Sequence, residues 1–179
     1  MAEYYLNTSD INEWAAMLCA GDRVYLSGTV YTSRDAAHKR IKSALDNNEN
    51  LPFELKNAVI YYAGPTPAKE GMPVGSIGPT TSGRMDVFTP LLLNNGLKAM
   101  IGKGNRSDTV VSAMIRNKAV YFAAVGGAGA LYSKCIKSCE GIAFEDLGCE
   151  SVKKLEFCDF PLLVAIDSKG NNLYNKNNG

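Results

Sequence analysis

Apolar residues along the chain follow two periods, and each predicts its own kind of element. Ile11, Trp14 and Leu18 recur at helical spacing behind a cap at Ser9 or Asp10, Glu13 completes a capping box, and Gly21 ends the helix. Ala37, Ile41 and Leu45 form a second stripe at i, i+4 and i+8, which predicts a helix over Ala36–Leu45. Between them Val24-Tyr25-Leu26 and Val30-Tyr31 read as strand, with Gly28 marking a bulge or a close backbone approach. Short unbroken apolar runs at Asn57–Ala63, Leu97–Ile101, Ala119–Val125 and Leu162–Ile166 predict further strands. Three more helices are expected. One covers Met85–Asn94, with Pro90 in its first turn and Gly96 at its end. A second starts behind Ser107 or Asp108, with Val111 and Ile115 on one face, and a charged helical stretch runs from Glu145 through Lys154. The turn Asp167-Ser168-Lys169-Gly170 follows the last strand, and the Asn-rich end, residues 172–179, is expected to fray. No tandem repeat or composition break divides the chain, so residues 1–179 predict one compact α/β domain.

The loops carry the candidate chemistry. Gly78-Pro79-Thr80-Thr81-Ser82-Gly83-Arg84-Met85-Asp86 sets three hydroxyls immediately before a guanidinium, and Arg84 is the only charge between Glu70 and Asp86. Two glycines permit close backbone approach, and a planar guanidinium captures a carboxylate or phosphate with two parallel bonds. The same residues also suit a surface turn with a capping hydroxyl. Arg34 lies at a strand-to-helix junction, where a helix N-terminus disfavours a cation unless an anion is bound beside it. Pairing with Asp35, or extension into water, is the alternative. Lys103 stands between two glycines at a strand end, without the spacing of a Walker phosphate loop. Gly126-Gly127-Ala128-Gly129-Ala130 misses the G-x-G-x-x-G spacing and fits tight helix–strand packing. His38, the single histidine, fits a hydrogen bond to a loop rather than a ligand role.

Charge and cysteine usage narrow the partners. A formal charge of +1 without any basic run longer than Lys153-Lys154 argues against a nucleic-acid binder, so any attraction for anions is local. No apolar run approaches the ~20 residues that cross a bilayer, and Met1–Tyr5 lacks the features of a signal peptide, so a cytoplasmic location is expected, with no membrane partner. Five cysteines, Cys19, Cys135, Cys139, Cys149 and Cys158, are an odd number with neither zinc-ribbon nor ferredoxin spacing; reduced structural thiols and no metal ligands are expected.

Taken together, Thr32-Ser33-Arg34-Asp35-Ala36-Ala37-His38, Gly64-Pro65-Thr66, the Gly78–Asp86 loop, Gly102-Lys103-Gly104 and Glu145-Asp146-Leu147-Gly148 resemble the β subunit of class I fumarate hydratase and L-tartrate dehydratase over nearly the whole chain. The resemblance implies a swivelling β/β/α domain that closes over a [4Fe-4S] cluster held by a separate α subunit, in a hetero-oligomer, with a homodimer as the alternative for the chain by itself. It implies a hydro-lyase acting on a dicarboxylate: reversible hydration of fumarate to (S)-malate, or dehydration of tartrate to oxaloacetate. By the same resemblance Arg34, Arg84 and Lys103 bind substrate and Thr80 is catalytic. A non-catalytic anion-binding or assembly module is the reading from another class.

Overall fold

The computed structural model describes residues 1–177. Its strands, in chain order, are β1 (Glu3–Asn7), β2 (Arg23–Thr32), β3 (Val59–Tyr61), β4 (Ala99–Gly102), β5 (Val120–Ala123), β6 (Ile136–Ala143) and β7 (Val152–Ile166). The helices are α1 (Ile11–Trp14), α2 (Asp35–Asp46), α3 (Thr89–Asn94), α4 (Asp108–Asn117) and α5 (Gly129–Tyr132). The strands form one sheet in the order β1-β2-β3-β4-β5-β7-β6, and the first five are parallel. Strand β7 runs antiparallel to β5 and also to β2, so five strands close into a barrel-like arrangement with β1 and β6 outside the ring.

The apolar runs are explained by burial on both faces of these strands. Val59 and Tyr61 of β3, Ala99 and Ile101 of β4, and Val120 and Phe122 of β5 point into the barrel interior with Trp14, Leu26 and Phe157. Their alternates Ile60, Met100 and Tyr121 face outward, under Ile41 of α2, Leu92 and Leu93 of α3 and Val110 and Met114 of α4. Period two therefore divides one sheet between two cores. Fully burying a large apolar side chain is worth roughly 1.5–3 kcal/mol, and both cores are built from many such residues.

Several expected elements shift. Gly28 does sit at a register break in β2, at φ +102, where a Cβ would lie 2.3 Å from Thr8 Oγ1. The first helix is shorter than its apolar spacing predicted: a 3-10 turn over Thr8–Asp10, capped by Asn7, leads into four residues of α1, whose N-cap position is Asp10, without a side-chain capping bond. The helix expected from Met85 is two pieces, a 3-10 turn over Ser82–Met85 and then α3, in which Pro90 occupies the first turn. In α4 the core face is Val110, Ala113 and Met114, while Ile115 is exposed and packs beside Gly170. The charged stretch after Phe144 is a 3-10 segment, Glu145–Glu150, broken at Gly148; Lys153 and Lys154 already belong to β7. At the C-terminal end Asn172 is buried and its amide donates to Asn105 Oδ1 at 2.9 Å, so order continues past the expected start of fraying. The last part of that expectation, on 178–179, lies outside the described residues.

Candidate active site

The carboxyl ends of parallel strands collect the candidate residues. Arg34 follows β2 and is the N-cap of α2; Tyr62–Gly64 continue β3; Lys103 follows β4; Gly126 follows β5. Ends of parallel strands are where loops can approach a ligand from several elements at once. The hydroxyl-rich loop lies across them: Thr80 N donates to Tyr62 O at 2.7 Å, Thr81 bridges Lys103, and Ser82 N donates to Lys103 O at 2.9 Å.

This loop is seated by its smallest neighbours. A Cβ on Gly102 would stand 1.9 Å from Ser82 Oγ and 2.9 Å from the Tyr62 ring, so only glycine leaves room for the buried Ser82 side chain. Tyr121 Oη pairs with Ser82 Oγ at 2.8 Å and lies 2.8 Å from the Gly104 carbonyl. Its phenol is kept neutral by burial, which raises its pKa despite the nearby Ser82 and Arg106.

Arg84 and Arg34 meet through one carboxylate. Arg84 Nε donates to Asp35 Oδ1 at 2.8 Å, and Arg34 Nε lies 3.9 Å from Asp35 Oδ2 and 3.5 Å from Glu150 Oε1. Gly64 makes way for Arg34, since a Cβ there would be 3.1 Å from Arg34 Nη1 and 3.1 Å from the Cys149 carbonyl. Half of the Arg84 side chain is exposed, against 23% for Arg34. Lys103 is exposed, its ammonium lies over Gly126, and among the described residues it has no carboxylate partner. Thr80 is partly buried, and its hydroxyl has no hydrogen bond among the described residues. The structure thus sets Arg34 and Arg84 on either side of Asp35, and ties Thr80 to the end of β3 and the Thr81-Ser82 backbone to Lys103.

Two further groups escaped the reading of the sequence. Arg106 is buried, donating from Nε to Asp86 Oδ1 at 2.7 Å and from Nη2 to Thr89 Oγ1 at 2.8 Å, with the Tyr62 and Tyr121 rings about its guanidinium. Burial opposes its charge, but its electrostatic interactions with Tyr62 and with the Asp86 carboxylate, and the Asp86 hydrogen bond, more than compensate, so its pKa is raised. Asp86 Oδ2 also accepts from Ser107 N at 2.7 Å, which locks the loop to the start of α4. Glu150 is the second, held at the end of a segment whose Asp146 takes a bidentate bond from Arg40 and whose carbonyls of Gly148 and Cys149 accept from Lys153 Nζ at 3.3 and 3.4 Å.

His38 is fully buried and its Nδ1 lies 2.7 Å from Ser33 Oγ and 3.1 Å from Arg34 O. With Nε2 buried without a partner, the tautomer that places the proton on Nδ1, donating to the Arg34 carbonyl, is the one that strands no ring N–H. The ring thus buttresses the Arg34 backbone.

The five thiols do not gather. Cys19 and Cys149 are exposed, the others are part-buried, and no three Cys, His, Asp or Glu side chains among the described residues are grouped to hold a metal ion. Burial pushes the Cys135 and Cys139 thiols up. These residues do not fit an iron–sulfur cluster. No helix among the described residues is long and apolar enough to cross a membrane.

A small mixed α/β domain, its sheet closed into a barrel and a cationic face at its parallel strand ends, is the class that fold and site define. The family described as Fumarase C-terminus matches residues 2–177, and the chain belongs to it. Fumarate hydratase 2 of Leishmania major is 44% identical over 158 residues, which is 87% of this chain and 28% of that protein. The aerobic class I fumarate hydratase of Escherichia coli K12 is 41% identical over 154 residues, 85% of this chain and 28% of that protein. A Methanocaldococcus jannaschii chain provisionally named L(+)-tartrate dehydratase subunit beta is 41% identical over 167 residues, 90% of this chain and 86% of its own length.

Proposed function

We propose that this chain is the dicarboxylate-binding part of a hydro-lyase that interconverts fumarate and (S)-malate, completed by an α-type partner in the cytoplasm. The observation that carries the reading is the apposition of Arg34 and Arg84 at the shared carboxylate of Asp35, with the loop that carries Arg84 held by its Thr81-Ser82 backbone against Lys103. The partner would hold the [4Fe-4S] cluster, since the thiols of this chain do not fit it. The barrel would move as a rigid, swivelling unit that brings its cationic face over the partner.

Within the site each residue has a distinct task. Two guanidiniums and an ammonium match the two carboxylates of a four-carbon dianion and fix its orientation. When the carbon beside a carboxylate loses its proton, charge grows on that carboxylate, and cations already aimed there stabilise it without reorganisation. Thr80 sits within the same loop as Arg84, where its hydroxyl can hold or relay that proton. A free hydroxyl is a weak base, so its activation requires a neighbouring cation or a carboxylate of the partner.

The test is co-production with an α-type chain under anaerobic conditions and assay on fumarate, malate and tartrate. Arg84→Ala should lower kcat/KM by about two to three powers of ten, because truncating one member of a charge-assisted pair costs roughly 2–5 kcal/mol. Thr80→Val keeps the shape and the cations, so it should lower kcat with little change in KM. Retention of kcat/KM within a few-fold by Arg84→Ala on all three substrates rules out this loop as the clamp. Tartrate dehydration is the second reading, favoured by the 86% coverage of the Methanocaldococcus jannaschii subunit, a relative of matching size.

A further inference from the structure

Both guanidiniums of the site face carboxylates through Nε, so neither turns its terminal amino groups to Asp35 or Glu150. Arg84 donates from Nε to Asp35 Oδ1 at 2.8 Å, and no bond from its Nη atoms exists among the described residues. Arg34 turns Nε toward Asp35 Oδ2 at 3.9 Å and Glu150 Oε1 at 3.5 Å, and neither approach has bonding geometry. A guanidinium is planar and rigid, so an anchor at Nε fixes the plane of its terminal fork, the part that takes a carboxylate with two parallel bonds.

Asp35 stands between the two. It occupies the first turn of α2, where the positive end of the helix favours a carboxylate, and its two oxygens are divided between two arginines from separate loops. Its Oδ2 and Arg34 Nε are both buried and without a hydrogen-bond partner. Such pairs are costly to leave unmade, and a closure of roughly 1 Å would bring these atoms into bonding range.

We infer that Asp35 is the positioning residue of the site: one oxygen holds Arg84, and the other is the seat on which Arg34 settles when a dianion engages its terminal fork. This rests on the dicarboxylate reading above. A carboxylate that merely balanced charge or favoured the start of α2 would act independently of the arginines, whereas a positioning carboxylate acts through them.

Two measurements decide it. In the partnered complex, Asp35→Asn, nearly isosteric, should lower kcat/KM by about ten- to a hundredfold, as misplacement of a binding group by a fraction of an ångström does. Asp35→Glu, too long for both contacts, should not restore it, and melting temperatures check folding. The Asp35→Asn loss should shrink at least threefold when Arg84→Ala is already present, because the two changes share one contact. In the whole chain without partner, the Arg84 Nε–H proton should exchange slowly by nuclear magnetic resonance and lose that protection in Asp35→Asn. Added L-malate should slow exchange at Arg34 Nε in the parent and not in the variant. If the parent complex turns over a dicarboxylate and Asp35→Asn stays within twofold, or its loss is undiminished beside Arg84→Ala, the inference is overturned. If the parent turns over none of the three acids, the enzymatic reading falls, and the resonance experiment still decides the positioning. An unprotected Arg84 Nε–H in the parent overturns it outright.

Discussion

His38 shows how a single ring ties stability to pH. Burial is the chief cause that lowers its pKa from an ordinary 6.5 to about 4; Arg106 acts in the same direction, while the Arg34 carbonyl and Asp35 oppose them. A second proton would go on Nε2, where no partner waits. Between pH 6.5 and 4 the unfolded chain therefore binds more protons at this site than the folded one, and stability falls as pH drops through that window. At about 1.4 kcal/mol per pH unit, this amounts to a few kcal/mol. His38→Asn can keep a donor toward the Arg34 carbonyl without titrating. Urea denaturation from pH 7 to pH 4 should give a flatter profile for this variant, from a lower starting stability. An equally steep loss would assign the acid sensitivity to other groups. Arg106 poses the opposite case, a buried charge that is satisfied. Arg106→Met strands Asp86 and Thr89 and should cost about 3–5 kcal/mol in urea denaturation, with partial recovery when Asp86→Asn is added. Arg84 and Lys103 stood out in the sequence because glycines and hydroxyls surround them locally, Arg34 because it lies at a strand-to-helix junction, and the resemblance added Thr80. Arg106 did not, because its partners come from Asp86 and Thr89, about twenty residues away.

At the scale of elements, the central strands were legible and the outer ones were not. Strands β3, β4 and β5 are buried on both faces and show as unbroken apolar runs, whereas β1 and β6 lie at the sheet edges with mostly exposed side chains and no apolar period to read. Strand β7 was seen only in its last third, because Lys153, Lys154 and Glu156 in its first half mimic a charged helix. The bulge at Gly28 was visible because a glycine within an apolar strand has few other meanings. What the sequence could not reveal is that Gly102 is the floor under Ser82, a contact across twenty residues. Gly102→Ala should displace the Thr80–Arg84 loop, cost about 1–3 kcal/mol as an overpacked core position does, and lower turnover. Adding Ser82→Gly should restore part of both losses, which thermal denaturation and kinetics on the partnered complex can measure. Failure of that rescue would mean the clash with the Tyr62 ring, 2.9 Å away, dominates.

For the whole molecule, the closed barrel carries the cationic loops at its parallel strand ends, and three exposed apolar side chains follow or flank those loops in the chain. Val87 is 77% exposed three residues after Arg84, and Val125 is 70% exposed beside Gly126, over which the Lys103 ammonium lies. Leu131, 64% exposed, belongs to α5, whose Gly129 carbonyl accepts from Ile77 N just before the hydroxyl-rich loop. Exposed apolar side chains next to polar contacts are what an interface uses to exclude water from the charges it encloses. An α-type partner closing over the site should therefore cover these three residues. Val87→Asp and Val125→Asp leave the cores untouched, so the chain should keep its melting temperature while its affinity for the partner falls by tenfold or more, about 1.4 kcal/mol per decade, in sedimentation or calorimetric titration. Tyr5→Ser supplies the control, because Tyr5 is 67% exposed on the edge strand β1, stacked on Tyr25. If Tyr5→Ser weakens association as much as the two valine variants do, the partner seats on the sheet edge instead, and the cationic face is not the surface it closes.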